Sequence, residues 1–146
     1  MRPLLALLVC CAPLAACESQ RGYVPYVPGP GFTQRMEISL ELPDSAPVAV
    51  GAWVTMHANR ESGPWVLRDS TMKNDPPCEE ISPIIKDEAA GKVEWRVEPE
   101  GQVNFSTPGP TDRQIKFLQP GRYRVWAVSD GCGAEFKSNE VDVLVQ

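Results

Sequence analysis

Pro120-Gly121-Arg122-Tyr123-Arg124-Val125-Trp126-Ala127-Val128 carries the clearest structural signal in the chain. After a Pro-Gly turn, Tyr123, Val125 and Ala127 alternate with Arg124, Trp126 and Val128. That period of two sends successive side chains to opposite faces of a strand. The same alternation recurs on both sides. Downstream, Val141, Val143 and Val145 alternate with Glu140, Asp142 and Leu144. Upstream, Ile115 and Phe117 alternate with Gln114 and Lys116, and Val93, Trp95 and Val97 with Glu94, Arg96 and Glu98. Val54, Met56 and Ala58 alternate with Trp53, Thr55 and His57, and Met36, Ile38, Leu40 and Leu42 with Glu37, Ser39 and Glu41. Turn signals separate these runs at Pro43-Asp44-Ser45, Thr107-Pro108-Gly109-Pro110, Gln119-Pro120-Gly121 and Ser129-Asp130-Gly131. The pattern predicts an all-β sandwich of six or seven strands over residues 35–146. The chain's 15 prolines in 146 residues oppose a helical bundle, because each internal Pro removes a donor and clashes with the preceding turn.

The motif at 120–128 resembles the penultimate strand of bacterial immunoglobulin-like and PKD-type domains. Val93-Glu94-Trp95-Arg96-Val97 resembles their strand C, with its core Trp. Val48-Ala49-Val50-Gly51-Ala52-Trp53-Val54-Thr55-Met56 resembles the approach to strand B, and Ser138-Asn139-Glu140-Val141 that to strand G. The resemblance implies an immunoglobulin-like β-sandwich of about seven strands with a long B–C insertion at 61–91. It also implies that the Tyr123 hydroxyl bonds back to nearby backbone. Two features depart from the pattern. Val125 and Val54 or Met56 stand where antibody domains carry their inter-sheet disulfide, and Trp95-Arg96-Val97-Glu98-Pro99 lacks the Asp-Gly-Asp of the PKD subgroup.

The N-terminus reads as an address. Arg2 precedes a short apolar run, Pro3–Ala16, that ends in small residues. This is the form of a secretory signal peptide, and the run falls short of the roughly twenty residues that a spanning helix needs. Leu14-Ala15-Ala16-Cys17 resembles the lipobox of bacterial lipoproteins. The resemblance implies cleavage after residue 16 and acylation of Cys17, which anchors the protein to a membrane in the bacterial cell envelope through two or three fatty chains. Glu18, standing where Asp serves as an inner-membrane retention signal in enteric bacteria, leans toward the outer membrane. Residues 17–34, with Pro25, Pro28, Pro30 and a doubled Tyr-Val-Pro, read as the lipidated Cys and a Pro/Gly-rich tether reaching roughly 50 Å.

Cys10 and Cys11 leave with the signal, so the mature body retains Cys78 and Cys132. An even number in an exported protein suggests a disulfide. The immunoglobulin-like resemblance implies that the B–C and F–G loops carrying them share one end of the sandwich. A thiol pair for a metal is the alternative, though neither residue has a zinc-finger partner at suitable spacing. Within the insertion, Gly63-Pro64-Trp65-Val66-Leu67 suggests a short strand and residues 79–91 a turn or two of helix. The whole is expected either to cap the sandwich or to present a recognition surface.

The net charge of −5 excludes a nucleic-acid-binding surface, which requires clustered Lys and Arg. No G-x-S-x-G, H-E-x-x-H, phosphate loop or EF-hand pattern is present, and His57 is the single histidine. No catalytic residue, metal or cofactor is therefore assigned. The expected function is protein–protein contact or assembly by a non-catalytic, membrane-anchored envelope protein. Trp126, with Arg124 and Arg96 on the outward face, forms the candidate surface, because a large exposed aromatic needs either a cover or a partner. The second reading is a cell-wall glycan module using Trp53, Trp65 and Trp126 as a platform.

Overall fold

The alternating runs are realised as two antiparallel sheets, seen in a computed structural model that describes residues 24–44 and 46–146. The signal segment 1–16, Cys17 and the first part of the tether lie outside the described residues. The strands are β1 (Tyr26–Leu40), β2 (Trp53–Leu67), β3 (Lys86–Glu88), β4 (Glu94–Glu98), β5 (Val103–Ser106), β6 (Arg113–Phe117), β7 (Gly121–Asp130), β8 (Glu135–Lys137) and β9 (Val141–Val145). One sheet runs β1-β2-β6-β5, with β3 also paired to β2. The other is built on β7, which pairs with β4 along one edge. Along the other edge, β8 pairs with residues 128–130 and β9 with residues 121–125. An isolated parallel bridge joins Val48 to Val145.

The inward positions are the ones the alternation marks. Met36, Ile38, Val54, Met56, Ala58, Ile115 and Phe117 from one sheet meet Val97, Tyr123, Val125, Ala127, Val143 and Val145 from the other, all buried. Fully burying a side chain of this size stabilises by about 1.5–3 kcal/mol, which is why register is held tightly here. Val125 and Met56 are fully buried in this core. At the end holding the β6–β7 turn, the Tyr123 ring lies 4.7 Å from Phe117, and its hydroxyl donates to the Gln119 carbonyl at 2.9 Å.

Two boundaries differ from the sequence expectation. The tether does not extend to residue 34, because Tyr26 already pairs with Leu67 and β1 continues unbroken in direction to Leu40. Pro28 and Pro30 are tolerated because the register shifts between Pro28 and Thr33, where Gly29-Pro30-Gly31-Phe32 bulges out of the ladder. Gly29 allows close approach at the bulge, since a Cβ there would stand 2.9 Å from Val66 Cγ1. The insertion differs as well. Its first residues prolong β2 to Leu67, and residues 79–91 form the Tyr26–Glu80 bridge and β3, with no helix among the described residues. Pro83 lacks a donor and biases Ser82 toward extended geometry, which disfavours a helical turn in this segment.

One rung of the outer edge of β1 is closed by a side chain. Asn139, ahead of β9, accepts from the Ile38 N–H at 2.7 Å and donates to the Ile38 carbonyl at 3.1 Å. Ser138 makes a comparable contact on β7, its Oγ accepting from the Ala127 N–H at 2.9 Å.

Candidate functional site

Two regions hold the residues singled out by the sequence. The first is the insertion end of the sandwich. Cys78 and Cys132 form a disulfide with Cα atoms 5.2 Å apart, joining the insertion to the β7–β8 turn. Gln34 of β1 clamps that turn. Its Oε1 accepts from the Cys132 N–H at 3.0 Å and its Nε2 donates to the Cys132 carbonyl at 3.3 Å. Gly131 is required here, because a Cβ would lie 2.6 Å from Gln34 Oε1 and 2.8 Å from Phe136 Cδ1. Gly133 has φ of +87°, in the left-handed region, and faces Pro77 across the bridge.

Behind the disulfide, Arg60 continues the inward series Val54, Met56, Ala58, so its guanidinium enters the end of the core. It pairs with both oxygens of Asp87, at 3.1 and 2.9 Å, and donates to Ser129 Oγ of the facing sheet at 3.1 Å. Lys92 Nζ adds a contact to Asp87 at 2.8 Å. Burial pushes the Asp87 carboxyl up, and the hydrogen bonds and charges of Arg60 and Lys92 outweigh it, leaving the group below its ordinary range. Ala89 and Ala90 are buried beside this cluster, and Trp95 Nε1 donates to the Ala90 carbonyl at 3.0 Å. The last third of the insertion therefore caps the core. A partly open cavity of about 220 Å³ remains between Gln34, Arg60, Trp65, Glu80, Phe136 and the disulfide.

The second region is the outer face of β4, β7 and β9. Cross-strand pairing sets Arg96 beside Trp126, Glu98 beside Arg124, Arg124 beside Asp142, and Arg122 beside Leu144. Arg96 pairs with Glu94 at 2.8 Å, and Arg124 lies 3.2 Å from Glu140 and 3.7 Å from Asp142. Lys137 hydrogen-bonds Glu140 and, with Arg124 nearby, holds its carboxyl below the usual range. The Trp126 side chain is half-buried, whereas its outward register in the sequence predicts exposure. Lys137 Nζ of β8 stands 4.6 Å from its ring centroid, a cation–π contact. Val128 shares this face by register but is buried between the flanking Glu94 and Lys137 positions. Below Arg124, an open groove of about 620 Å³ runs past Pro99, Arg122 and the exposed Leu144.

The three tryptophans do not form one platform. Trp126 lies on the β4-β7-β9 face, whereas Trp53 lies on the outer face of the other sheet with Lys116 4.6 Å above its ring. Trp65 sits twelve residues farther along β2, edge-on to Phe32 at 4.8 Å, with its Nε1 donating to Ser62 Oγ at 3.2 Å. His57 is on the sheet's outer face, 3.1 Å from Glu41. Among the described residues, no group of three or more His, Cys, Asp or Glu side chains is placed to hold a metal ion. The Arg60–Asp87–Ser129 closure, the Gln34 clamp and the Leu144 groove were missed by sequence reasoning. Only Arg60, a charge at an inward position of β2, leaves a trace in the pattern.

No protein-family model, curated protein or solved structure matches the chain.

Proposed function

We propose that the chain is a non-catalytic, lipid-anchored envelope protein whose sandwich is an immunoglobulin-like protein-contact domain. The strand order supports the fold reading: β1-β2-β6-β5 facing β4-β7-β9 parallels the A-B-E-D and C-F-G sheets of constant-type domains. The Tyr123–Gln119 bond at the start of β7 points the same way. The lipobox supports the anchor, and the Cys78–Cys132 bridge accounts for both body thiols.

The observation that carries the contact reading is the face formed by Arg96, Trp126, Arg124 and Leu144. It combines an aromatic, two arginines and an exposed aliphatic beside a groove, the composition enriched at protein interfaces. Its internal ion pairs hold the long side chains in place, which lowers the ordering cost of binding.

Trp126→Ala and Arg124→Ala test it. Trp126 is half-buried, with Lys137 over its ring and Arg96 beside it, so its truncation is expected to cost about 1–2 kcal/mol of stability. Loss of an interface anchor is expected to weaken partner recovery in cell crosslinking by about thirtyfold, corresponding to roughly 2 kcal/mol. A large fall in melting temperature with partner recovery intact would assign Trp126 to folding instead and end the proposal for this face.

A further inference from the structure

The exposed apolar side chains of the described residues are unevenly placed. Of eleven large ones, six (Val24, Leu67, Met72, Ile81, Ile84 and Ile85) lie at the insertion end. Ile81, Ile85, Leu67 and Val24 are each more than half exposed, at 66, 65, 55 and 53%. The backbone holds three of them together. Tyr26 pairs with Leu67 on one side and Glu80 on the other, and the Arg68 N–H donates to the Pro25 carbonyl at 2.9 Å. Ser62 fixes the fourth and fifth, its N–H donating to the Ile85 carbonyl at 2.9 Å and its Oγ to that of Ile84 at 2.7 Å. The disulfide and the Arg68–Glu79 ion pair pin the segment between. A rigid end that exposes this much aliphatic surface marks a site of interaction.

The chain itself says what faces that end. β1 begins at Tyr26, so only nine residue steps separate it from Cys17, a span of at most about 30 Å. The leash enters the body beside Leu67 and Ile81, while the opposite end of β1, paired with Met56, lies roughly 36 Å away along the ladder. Any bilayer holding Cys17 therefore meets the insertion end first. Arg68, paired with Glu79 and 3.7 Å from Asp75, offsets part of the acidic charge at this end, where Asp69 and Glu80 also lie, so apolar burial rather than charge holds it to the bilayer.

We propose that the insertion end of the sandwich, through Val24, Leu67, Ile81, Ile84 and Ile85, rests in the interface of the bilayer that holds the acyl chains of Cys17. This rests on the lipoprotein reading above. The acyl chains supply the anchor, and the aliphatic end fixes the body's orientation, leaving the Trp126 face directed sideways for contact.

The test uses the full-length protein in membranes of the expressing bacterium, with p-benzoylphenylalanine placed singly at positions 81, 85, 50 and 144. Each variant is first checked for an intact Cys78–Cys132 bridge and unchanged melting. Phospholipid adducts at 81 and 85, with none at 50 or 144, are the expected result. Protein adducts at 81 and 85, no adduct there, or equal lipid labelling at both ends would overturn it. The mass of the N-terminal peptide reads the anchor separately: an unacylated Cys17 removes the lipoprotein reading and this proposal with it, whereas an acylated Cys17 without tip adducts removes this proposal alone. On the unsubstituted lipidated protein in phosphatidylethanolamine–phosphatidylglycerol vesicles, amide exchange over residues 80–85 should be slower than in the detached Cys17→Ser protein. Equal exchange rates would count against it.

Discussion

Arg60 is a cation at a position whose three predecessors on the same face are Val54, Met56 and Ala58. It is tolerated because Asp87, 13% exposed, meets it with two hydrogen bonds and Ser129 supplies a third acceptor from the facing sheet. Removing the anion while leaving the cation in place is costly. Asp87→Asn is expected to lower stability at neutral pH by about 2–3 kcal/mol, measured by chemical denaturation. The acid limb should change as well. The folded Asp87 carboxyl sits below its ordinary value while the unfolded one does not, so the unfolded state binds more protons between the two. The stabilisation is present above the unfolded pKa near 4 and is lost as pH falls through the folded pKa. Below about pH 4 the native protein should therefore lose stability more steeply than Asp87→Asn. Parallel acid limbs for the two proteins would exclude this assignment. Little of this was readable in the sequence: Arg60 breaks an apolar series, but Asp87 lies 27 residues away in a segment without periodicity.

Among the elements, the alternating strands were legible and the irregular ones were not. β4, β6, β7 and β9, the second half of β1 and the first half of β2 place apolar residues at every second position, and each forms with the inward set that alternation indicates. β3, β5 and β8 are three or four residues long and carry one apolar side chain at most on a buried face, too few to establish a period. The start of β1 was hidden by its prolines, which signal a tether until the bulge that accommodates them is seen. The insertion is tied to the body by a covalent link as well as by β3 and the Arg60–Asp87 pair. Closing a 54-residue separation contributes about 4 kcal/mol on the chain-entropy model. Cys78→Ala together with Cys132→Ala should lose up to that amount in denaturant unfolding while strand-rich circular dichroism persists, because the core is held by the packing of the two sheets rather than by the bridge. Amide protection should fall first over residues 68–85. Uniform loss across all strands would show instead that the bridge holds the whole sandwich.

The whole molecule is organised by its ends. One end gathers the disulfide, the Gln34 clamp, the Arg60–Asp87 closure and the exposed isoleucines; the other holds Tyr123, the Val48–Val145 bridge and the groove beside Leu144. The division into two sheets followed from strand number and turn spacing, but which end would carry the apolar surface did not, since that depends on where the insertion is tied down. The contact at Asn139 has a bearing on how many copies can coexist. An unsatisfied strand edge is a template on which a neighbouring chain can polymerise. At Ile38 both main-chain groups are already taken by one amide side chain, so incoming strands find neither donor nor acceptor there. Asn139→Ala should reopen that rung and raise thioflavin-reactive assembly as protein concentration increases, with only a modest fall in melting temperature. Unchanged assembly would show the edge to be guarded elsewhere. Asn139 in this view is a chain terminator for sheet growth, keeping a crowded population of identical sandwiches from becoming a fibre.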